Sequence, residues 1–247
     1  MRNKEQWKPS KFVYRNGKLY ASRDAAEVNV SSRLIADIIA SFYEREIKNH
    51  VKGKLLDLGC GKVPLYLAYL DFTTEVACVD WPNSLHKNIY LDHEMDLNMP
   101  LKFIENSFNT IILSDVLEHL RKPELLMSEA FRVLAPGGKL LMNVPFYYWV
   151  HEEPHDYFRY TRFALRSMAE DAGFTVLLLE ETGGAPEILT DIISKLVVKV
   201  PLVGNVSASI IQNLTRFFLK LSFGKKVSKK TAAKFPLGYV MILEKQV

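Results

Sequence analysis

The sequence of 247 residues contains only two cysteines, Cys60 and Cys78, and both lie in apolar segments. This count excludes a disulfide framework and is typical of a reducing compartment. No stretch approaches the roughly 18 uninterrupted apolar residues that a membrane-spanning helix needs. The polar N-terminus also lacks the apolar core of a secretory signal. We therefore expect a cytoplasmic protein without a membrane span.

The sequence also lacks a strong charge of either sign. Its formal net charge is +4, with 24% charged and 48% hydrophobic residues. This composition is too apolar for a disordered chain, and it gives no reason to expect a nucleic-acid partner. At this length, one sizeable α/β domain with an elaboration is expected.

From about residue 52, short apolar runs alternate with helical patterns, which predicts a doubly wound parallel sheet. The predicted strands are KLLDLGCG, EVACVDW, FNTIILS (running into a helix), KLLMNVPF, TVLLLEE and GYVMILEK. Helices are predicted over residues 28–50, over PELLMSEAFRV up to a stop at Pro136-Gly137-Gly138, and after the capping residue Thr161.

Residues 185–234 interrupt this alternation before the final strand. Their pattern predicts an inserted helical hairpin with a basic tail. The apolar residues at helical spacing are Ile188, Leu189, Ile192, Ile193, Leu196 and Val197, then Ile210, Ile211, Leu214, Phe217, Phe218 and Leu221, followed by Lys225, Lys226, Lys229, Lys230 and Lys234. Two interpretations stay open: a membrane-surface element, or apolar faces that pack on the domain, cover the active site or form a dimer contact.

A glycine bend, Gly59-Cys60-Gly61, follows the first predicted strand, and the next strand ends in Asp80-Trp81 about 20 residues on, the layout of a nucleotide-binding half. Glycines allow the backbone to approach a ligand closely. Pro64 stands where the dinucleotide fingerprint has its third glycine, which disfavours a pyrophosphate ligand. We therefore expect a ligand without phosphates, whose two ribose hydroxyls Asp80 would hold.

The segment HEEPHDYFRYT, residues 151–161, contains the H-E-x-x-H order of zinc proteases in His151, Glu152 and His155. That signature binds zinc only on a helix. Pro154 disfavours a helix here, so we expect a loop and no metal. The loop follows KLLMNVPF, at the strand end where open α/β sheets bind ligands.

At this point the chain resembles the class I S-adenosylmethionine-dependent methyltransferases of the type 11-like group. The matching segments are LLDLGCG (55–61), VACVD (76–80), DLNMPL (96–101), FNTIILSDVLEHL (108–120) and RVLAPGGKLLMNVP (132–145). The resemblance covers most of residues 50–180 and implies a Rossmann-like, seven-stranded, mostly parallel sheet whose last strand is antiparallel. Residues 1–50 are then expected to form an N-terminal helical cap, and residues 51–247 the methyltransferase domain, with the hairpin inserted at 185–234.

The resemblance also implies where S-adenosylmethionine lies. Asp57 and Gly59 would lie near its methionine end, Asp80 at the ribose, residues 96–97 beside the adenine, and residues 114–115 facing cofactor and substrate. The predicted cofactor-binding residues are Asp57, Gly59, Cys60, Gly61, Asp80, Trp81, Asp96, Leu97, Ser114 and Asp115. Aspartates also cap helices and glycines also close turns, so each has a structural alternative. One departure is Val63, where many members have glycine.

HEEPHDYFRYT is similar to a subgroup associated with bacterial cell-surface polysaccharide or glycolipid biosynthesis. His155 and His151 are candidate bases for a sugar hydroxyl, with Asp156 able to orient one of them. The candidate substrate-binding residues are Tyr157, Arg159, Tyr160 and His119. In the alternative, Asp156 and Arg159 form an ion pair that holds the loop in place, and Glu118-His119 is structural or a pocket wall.

The predicted function is methyl transfer from S-adenosylmethionine, with S-adenosylhomocysteine as product, to a hydroxyl of a sugar or glycolipid. The alternatives are a quinone or lipid methyltransferase at the membrane surface and a non-catalytic cofactor-binding module. The Asp/Asn-Pro-Pro-aromatic clamp of amino-group DNA methylases is missing from SDVLEHL, which disfavours nucleic acid. Further expected contacts are a second copy of the chain and, through residues 185–234, the inner membrane face.

Overall fold

The computed structural model describes residues 1–82 and 89–246. The chain divides into two compact units. The first unit consists of Met1–Lys8, Arg45–Glu180 and Tyr239–Val247. The second consists of Pro9–Glu44 and Glu181–Gly238, and it includes the whole of the inserted segment.

The described part of the chain forms strands, α-helices and short 3-10 turns. The strands are β1 (Phe12–Arg15), β2 (Lys18–Ala21), β3 (Gly53–Leu58), β4 (Thr73–Asp80), β5 (His93–Glu94), β6 (Phe108–Ser114), β7 (Leu134–Pro145), β8 (Thr175–Glu181) and β9 (Gly238–Glu244). The α-helices are α1 (Arg33–His50), α2 (Tyr66–Tyr69), α3 (Pro123–Val133), α4 (Arg162–Asp171), α5 (Ala185–Val197), α6 (Gly204–Lys220) and α7 (Ser222–Ala232). The 3-10 turns are Lys4–Gln6, Val30–Ser32, Leu70–Phe72 and Leu117–His119.

Seven strands form one sheet in the order β5-β4-β3-β6-β7-β9-β8, and β1 and β2 form a separate antiparallel hairpin. The strands from β5 to β7 pair in parallel, so the carboxyl ends of β3, β4 and β6 meet at one edge of the sheet. The last strand runs antiparallel. The predicted Rossmann-like, doubly wound, seven-stranded sheet is confirmed.

The central strands are rich in buried apolar residues, as expected of a sheet with helices on both faces. Leu55 and Leu56 of β3 and Ile111 and Ile112 of β6 are fully buried. Helix α3 starts with Pro123, whose fixed φ suits the first helical position. It ends at Val133, and the Pro136-Gly137-Gly138 segment expected to stop it lies within β7.

The lysine-rich segment, predicted as a basic tail after a hairpin of two helices, forms a third helix, α7. Four of its lysines lie within α7, which follows α6 after a single residue. Lysine is a good helix former, so a lysine-rich stretch extends a helix readily. All five lysines of the cluster are exposed: Lys225, Lys226, Lys229, Lys230 and Lys234.

Helix α5 is amphipathic, but its polar residues are the buried ones. Six residues of the helix are buried, and only one of them is apolar: Glu187, Ile188, Thr190, Asp191, Ser194 and Lys195. Four large apolar side chains are exposed by 44–65%: Leu189, Ile192, Ile193 and Leu196. Asp191 and Lys195 form a buried ion pair one helical turn apart, with Nζ 2.5 Å from Oδ2.

Helix α6 follows the same pattern. It buries Gly204, Ala208 and Gln212 and leaves a row of larger apolar side chains in solvent. The exposed residues are Val206, Ile210, Leu214 and Phe217. None of the helices among residues 1–82 and 89–246 combines the length and apolar character needed to cross a bilayer.

Candidate functional site

The glycine bend lies where β3 ends, beside the end of β4. The amides of Gly59 and Cys60 both donate to the carbonyl of Val79, at 2.8 and 3.1 Å. The amide of Gly61 donates to Oδ2 of Asp80 at 2.8 Å. The bend and the acid that the sequence places about 20 residues apart are therefore in direct contact.

Two positions of this bend show why its path is specific. Gly59 has φ +68°, and a Cβ there would lie 2.4 Å from Cγ2 of Val116, so only glycine fits. A Cβ on Gly61 would have no neighbour within 4 Å, so open space borders the backbone there.

Val63, which replaces a common glycine, has φ +52°. The left-handed conformation is thus kept by a β-branched residue, a strained arrangement of the kind found at functional sites.

Asp57, the last acid of β3, is buried and accepts a hydrogen bond from the hydroxyl of Tyr69 at 2.9 Å. Burial raises the pKa of this carboxyl from 3.8 to about 7, partly offset by the Tyr69 hydrogen bond and reinforced by the charge of Asp80. A buried acid of this kind favours a cationic ligand next to it, because a positive charge restores the ionised form. Tyr69 is a contact that the sequence patterns did not identify.

Asp80 lies at the end of β4, and its Oδ1 accepts from the amide of Trp81 at 2.7 Å. The ring of Trp81 meets the imidazole of His155 edge to face, with centroids 4.8 Å apart. This contact joins two sets of residues that are 74 positions apart in sequence. The predicted cofactor side of the site and the predicted acceptor loop therefore meet at Trp81 and His155.

The two residues predicted to lie beside the adenine differ in exposure. Leu97 is buried, whereas Asp96 is exposed and its Oδ1 accepts from the amide and side chain of Asn98, both at 2.9 Å. The Asp96 carboxylate thus holds a turn of the chain, a structural role.

Ser114 and Asp115, at the end of β6, share one partner on the neighbouring strand. The Ser114 hydroxyl donates to Oδ1 of Asn143 at 2.8 Å, and Nδ2 of Asn143 donates to Oδ1 of Asp115 at 2.5 Å. Asn143 is 1% exposed. Sequence reasoning missed it because only the parallel pairing of Ser114 with Asn143 brings the two strand ends together.

Residues 151–155 form neither helix nor strand, which confirms the predicted loop. Arg159 donates through Nη1 and Nη2 to the two carboxylate oxygens of Asp156, at 2.5 and 2.7 Å. It also donates to the carbonyls of Trp149 and Phe158. The Asp156–Arg159 ion pair that the sequence left as an alternative is therefore present, and it fixes the loop.

Asp156 also contacts His151. Its Oδ2 accepts from the backbone amide of His151 at 2.9 Å and lies 3.2 Å from Nδ1 of that imidazole. Burial alone would raise the pKa of Asp156, but hydrogen bonds from Arg159 and the His151 amide lower it to about 2. Burial and the nearby His119 lower the pKa of His151.

The remaining residues predicted to contact the acceptor take different positions. Nδ1 of His155 lies 3.2 Å from the Tyr157 hydroxyl. Nδ1 of His119 lies 2.8 Å from the carbonyl of His155. Tyr160 is 5% exposed, and its hydroxyl donates to the carbonyl of Leu117 at 2.9 Å, so this side chain packs beneath the loop.

This strand order, with a glycine bend and an acid at the edge where β3 and β4 end, defines the class I methyltransferase architecture. Residues 29–179 match the family described as a methyltransferase domain, and the chain belongs to that family. It is a methyltransferase that uses S-adenosylmethionine. A comparison with curated proteins gives no match.

Solved structures show the same fold at low sequence identity. An S-adenosylmethionine-dependent methyltransferase from Mesorhizobium loti is 13% identical, with a TM-score of 0.53 over 85% of this chain and 99% of that one. Phosphoethanolamine N-methyltransferase 2 from Haemonchus contortus, in complex with S-adenosylmethionine, is 14% identical, with a TM-score of 0.55 over 91% and 59%. The [4+2]-cyclase SpnF is 16% identical, with a TM-score of 0.54 over 87% and 83%. The chemistry of this chain must therefore be argued from its own site.

Proposed function

We propose that this methyltransferase acts on a hydroxyl of a small-molecule acceptor, a sugar or glycolipid used in cell-surface polysaccharide biosynthesis. The observation that supports this most is the 4.8 Å contact between His155 and Trp81. It places an imidazole of the acceptor loop beside the strand end that carries Asp80. Imidazole titrates near neutral pH, so it suits the removal of a hydroxyl proton.

The residues at the edge of the sheet fit S-adenosylmethionine. Asp80 would hold the ribose hydroxyls, and the buried Asp57 would lie at the cationic methionine end. The open space beside Gly61 leaves room for a ligand against the backbone. When bound, the cofactor supplies an activated methyl group on a sulfonium.

In the proposed reaction, a bond forms between the acceptor oxygen and the methyl carbon. The carbon–sulfur bond breaks, its electron pair stays on sulfur, and the hydroxyl proton passes to the imidazole of His155. Much of the acceleration comes from alignment of the reacting atoms, because the methyl group is already activated. The Asp156–Arg159 pair contributes by holding the loop that carries His155.

The acceptor loop (residues 151–161) and the residues just before it also present aromatic side chains to solvent. Tyr147, Trp149, Tyr157 and Phe158 are 39–48% exposed. Such rings offer a flat apolar face, and tyrosine and tryptophan add a polar edge. A sugar ring, with apolar C–H faces and hydroxyl edges, matches this surface.

The test is an assay of S-adenosylhomocysteine release with a panel of sugar nucleotides, glycolipids and quinones. With the acceptor found, His155→Gln is expected to lower kcat by about 100-fold or more, because a positioned base is lost. S-adenosylhomocysteine affinity should stay the same. His93→Gln, an exposed histidine on β5, is the control. Unchanged turnover of His155→Gln would remove the base from the proposal, and turnover of quinones alone would favour the lipid alternative.

We also propose that residues 185–234 contact an anionic membrane surface. The exposed apolar rows of α5 and α6, together with the exposed lysines of α7, have the composition of an interfacial element. Apolar side chains would enter the lipid boundary, and lysines attract anionic headgroups. This placement suits a lipid-linked acceptor.

Liposome flotation tests the membrane contact. The intact chain is expected to float with vesicles that contain anionic lipid, and the variant Ile192→Ser/Leu196→Ser should bind at least tenfold more weakly. Leu177→Ser, an exposed apolar position on β8, is the matched control. A chain that stays with the soluble fraction, or that forms dimers through this face and ignores vesicles, would contradict the proposal.

A further inference from the structure

Three side chains from two separate segments meet beside the acceptor loop. Glu118 and His119 come from the 3-10 turn after β6, and His151 comes from the loop after β7. Their ligand atoms all lie within 4.8 Å of one another. Oε1 of Glu118 is 3.6 Å from Nε2 of His119 and 4.0 Å from Nε2 of His151. The pairing of β6 with β7 brings these segments together.

The hydrogen bond at Nδ1 of His119 determines its tautomer. Nδ1 lies 2.8 Å from the carbonyl oxygen of His155. A carbonyl only accepts, so Nδ1 carries the hydrogen, and in the neutral ring Nε2 presents its lone pair. Within the described part of the chain, Nε2 of His119 is buried and has no hydrogen-bond partner.

His151 is positioned by Asp156, which accepts a hydrogen bond from the backbone amide of His151 at 2.9 Å. Nδ1 of the ring lies 3.2 Å from the same carboxylate, without hydrogen-bond geometry. Nε2 then faces Glu118 on the opposite side of the ring. An imidazole held at one nitrogen by a carboxylate or carbonyl, with the other nitrogen turned inward, is the usual arrangement of a metal-ligating histidine.

A cation placed between Nε2 of His119, Nε2 of His151 and the Glu118 carboxylate would be bound by two nitrogen lone pairs and one negative charge. A cation 2.0–2.2 Å from each ligand would separate tetrahedral ligand atoms by roughly 3.4 Å. The separations of 3.6 and 4.0 Å from Glu118 are close to this spacing. Glu152 adds a second carboxylate, with Oε2 at 4.0 Å from Nε2 of His119.

We propose that Glu118, His119 and His151 bind one divalent transition-metal cation of the Zn²⁺ class, with Glu152 as an additional ligand. Two imidazoles and a carboxylate form a ligand set known from catalytic zinc sites. Nitrogen ligands disfavour Mg²⁺, which prefers oxygen.

In the loop of residues 151–161, the two histidines have different surroundings. The expected absence of a helical zinc motif stands, because residues 151–155 are not helical. His151 instead joins ligands from another strand end, whereas the imidazole of His155 faces Trp81 and Tyr157. For its role, the site rests on the proposed function: a cation here would hold an acceptor hydroxyl or its anionic group near His155. The binding of the cation is measured without any acceptor.

The experiment uses the full chain without a polyhistidine tag, treated with chelator and then freed of it. Calorimetric titration with Zn²⁺ is expected to show one tight site per chain, and Co²⁺ should give visible absorption bands from nitrogen and oxygen ligands. His119→Gln and His151→Gln should each weaken Zn²⁺ binding by at least tenfold. His93→Gln should bind as the wild type does.

Far-ultraviolet circular dichroism checks that each variant folds. If a histidine variant does not fold, the wild-type stoichiometry and the Co²⁺ spectrum decide on their own. No uptake of Zn²⁺ by the wild type, or equal uptake by wild type, His119→Gln and His151→Gln, would overturn the site. Neither outcome bears on O-methyl transfer, which the assay with His155→Gln tests separately.

Discussion

Helices α3 and α5 are both amphipathic, yet they bury opposite faces. Helix α3 of the sheet unit buries Leu126, Met127 and Ala130 and leaves Glu124 exposed. Helix α5 of the second unit buries an ion pair and threonine and exposes Leu189 and Leu196. The same helical periodicity therefore accompanies a buried apolar face in α3 and an exposed apolar face in α5.

The difference shows what amphipathicity does and does not specify. A spacing of three and four residues fixes that apolar side chains share a face. It does not fix which face meets the protein, because polar residues can also pack when they pair, as Asp191 and Lys195 do. An apolar face left in solvent requires another partner, and for α5 we propose a lipid surface.

The largest expected effect compares two leucines. Leu126 is 0% exposed on α3, and Leu196 is 65% exposed on α5. Leu126→Ala should lower the free energy of unfolding by about 2–5 kcal/mol, because it opens a cavity. Leu196→Ala should change it by less than about 0.5 kcal/mol. Denaturant unfolding of both variants measures this, and equal losses would mean that α5 packs as α3 does.

A smaller effect is expected from charge on α7. Each lysine near an anionic surface contributes roughly 1 kcal/mol to membrane binding. Lys225→Gln/Lys226→Gln should therefore weaken binding to anionic vesicles by about tenfold or more, and salt should reduce the difference from wild type. Lys18→Gln/Lys48→Gln, outside the insertion, is the control. Equal binding of the two double variants at low salt would count against an electrostatic contribution.

A further expected effect concerns buried acids. Asp191 has an ionic partner, whereas the hydrogen bond described for the Asp57 carboxylate comes from a hydroxyl. The folded-state pKa of Asp57, about 7, exceeds its usual 3.8, so the folded chain holds a proton that the unfolded chain releases between these values. The free energy of unfolding of the cofactor-free protein should therefore fall as the pH rises from about 4 to about 7. Asp57→Asn should lack this decline.

At pH 8, Asp57→Asn should unfold a few degrees above wild type and bind S-adenosylmethionine more weakly. Thermal unfolding at pH 5 and pH 8 measures the first effect. Parallel melting temperatures of the two proteins at both pH values would show that Asp57 ionises without cost.

Local features of the sheet could be predicted from the sequence. Strands β3 and β4 could be located because each is an apolar run that contains an aspartate near its end, Asp57 or Asp80. A signal of this kind spans only a few residues. The orientation of α5 could not be predicted, because periodicity shows that the apolar side chains share a face but not whether that face is buried or exposed. The cluster of Glu118, His119 and His151 also could not, because it depends on which strands are neighbours. Val63 is a third case, since nothing in its residue type indicates a positive φ.

The account as a whole depends on S-adenosylmethionine binding against the bend at Gly59–Gly61, with its ribose hydroxyls at the Asp80 carboxylate. Calorimetric titration of S-adenosylhomocysteine into wild type, Asp80→Asn and Glu75→Gln tests it most directly. Glu75 is an exposed acid on the same strand, β4. We expect one site per chain, about 10–100-fold weaker binding for Asp80→Asn, and wild-type binding for Glu75→Gln. Equal affinity of Asp80→Asn and wild type, with both proteins folded, would contradict it.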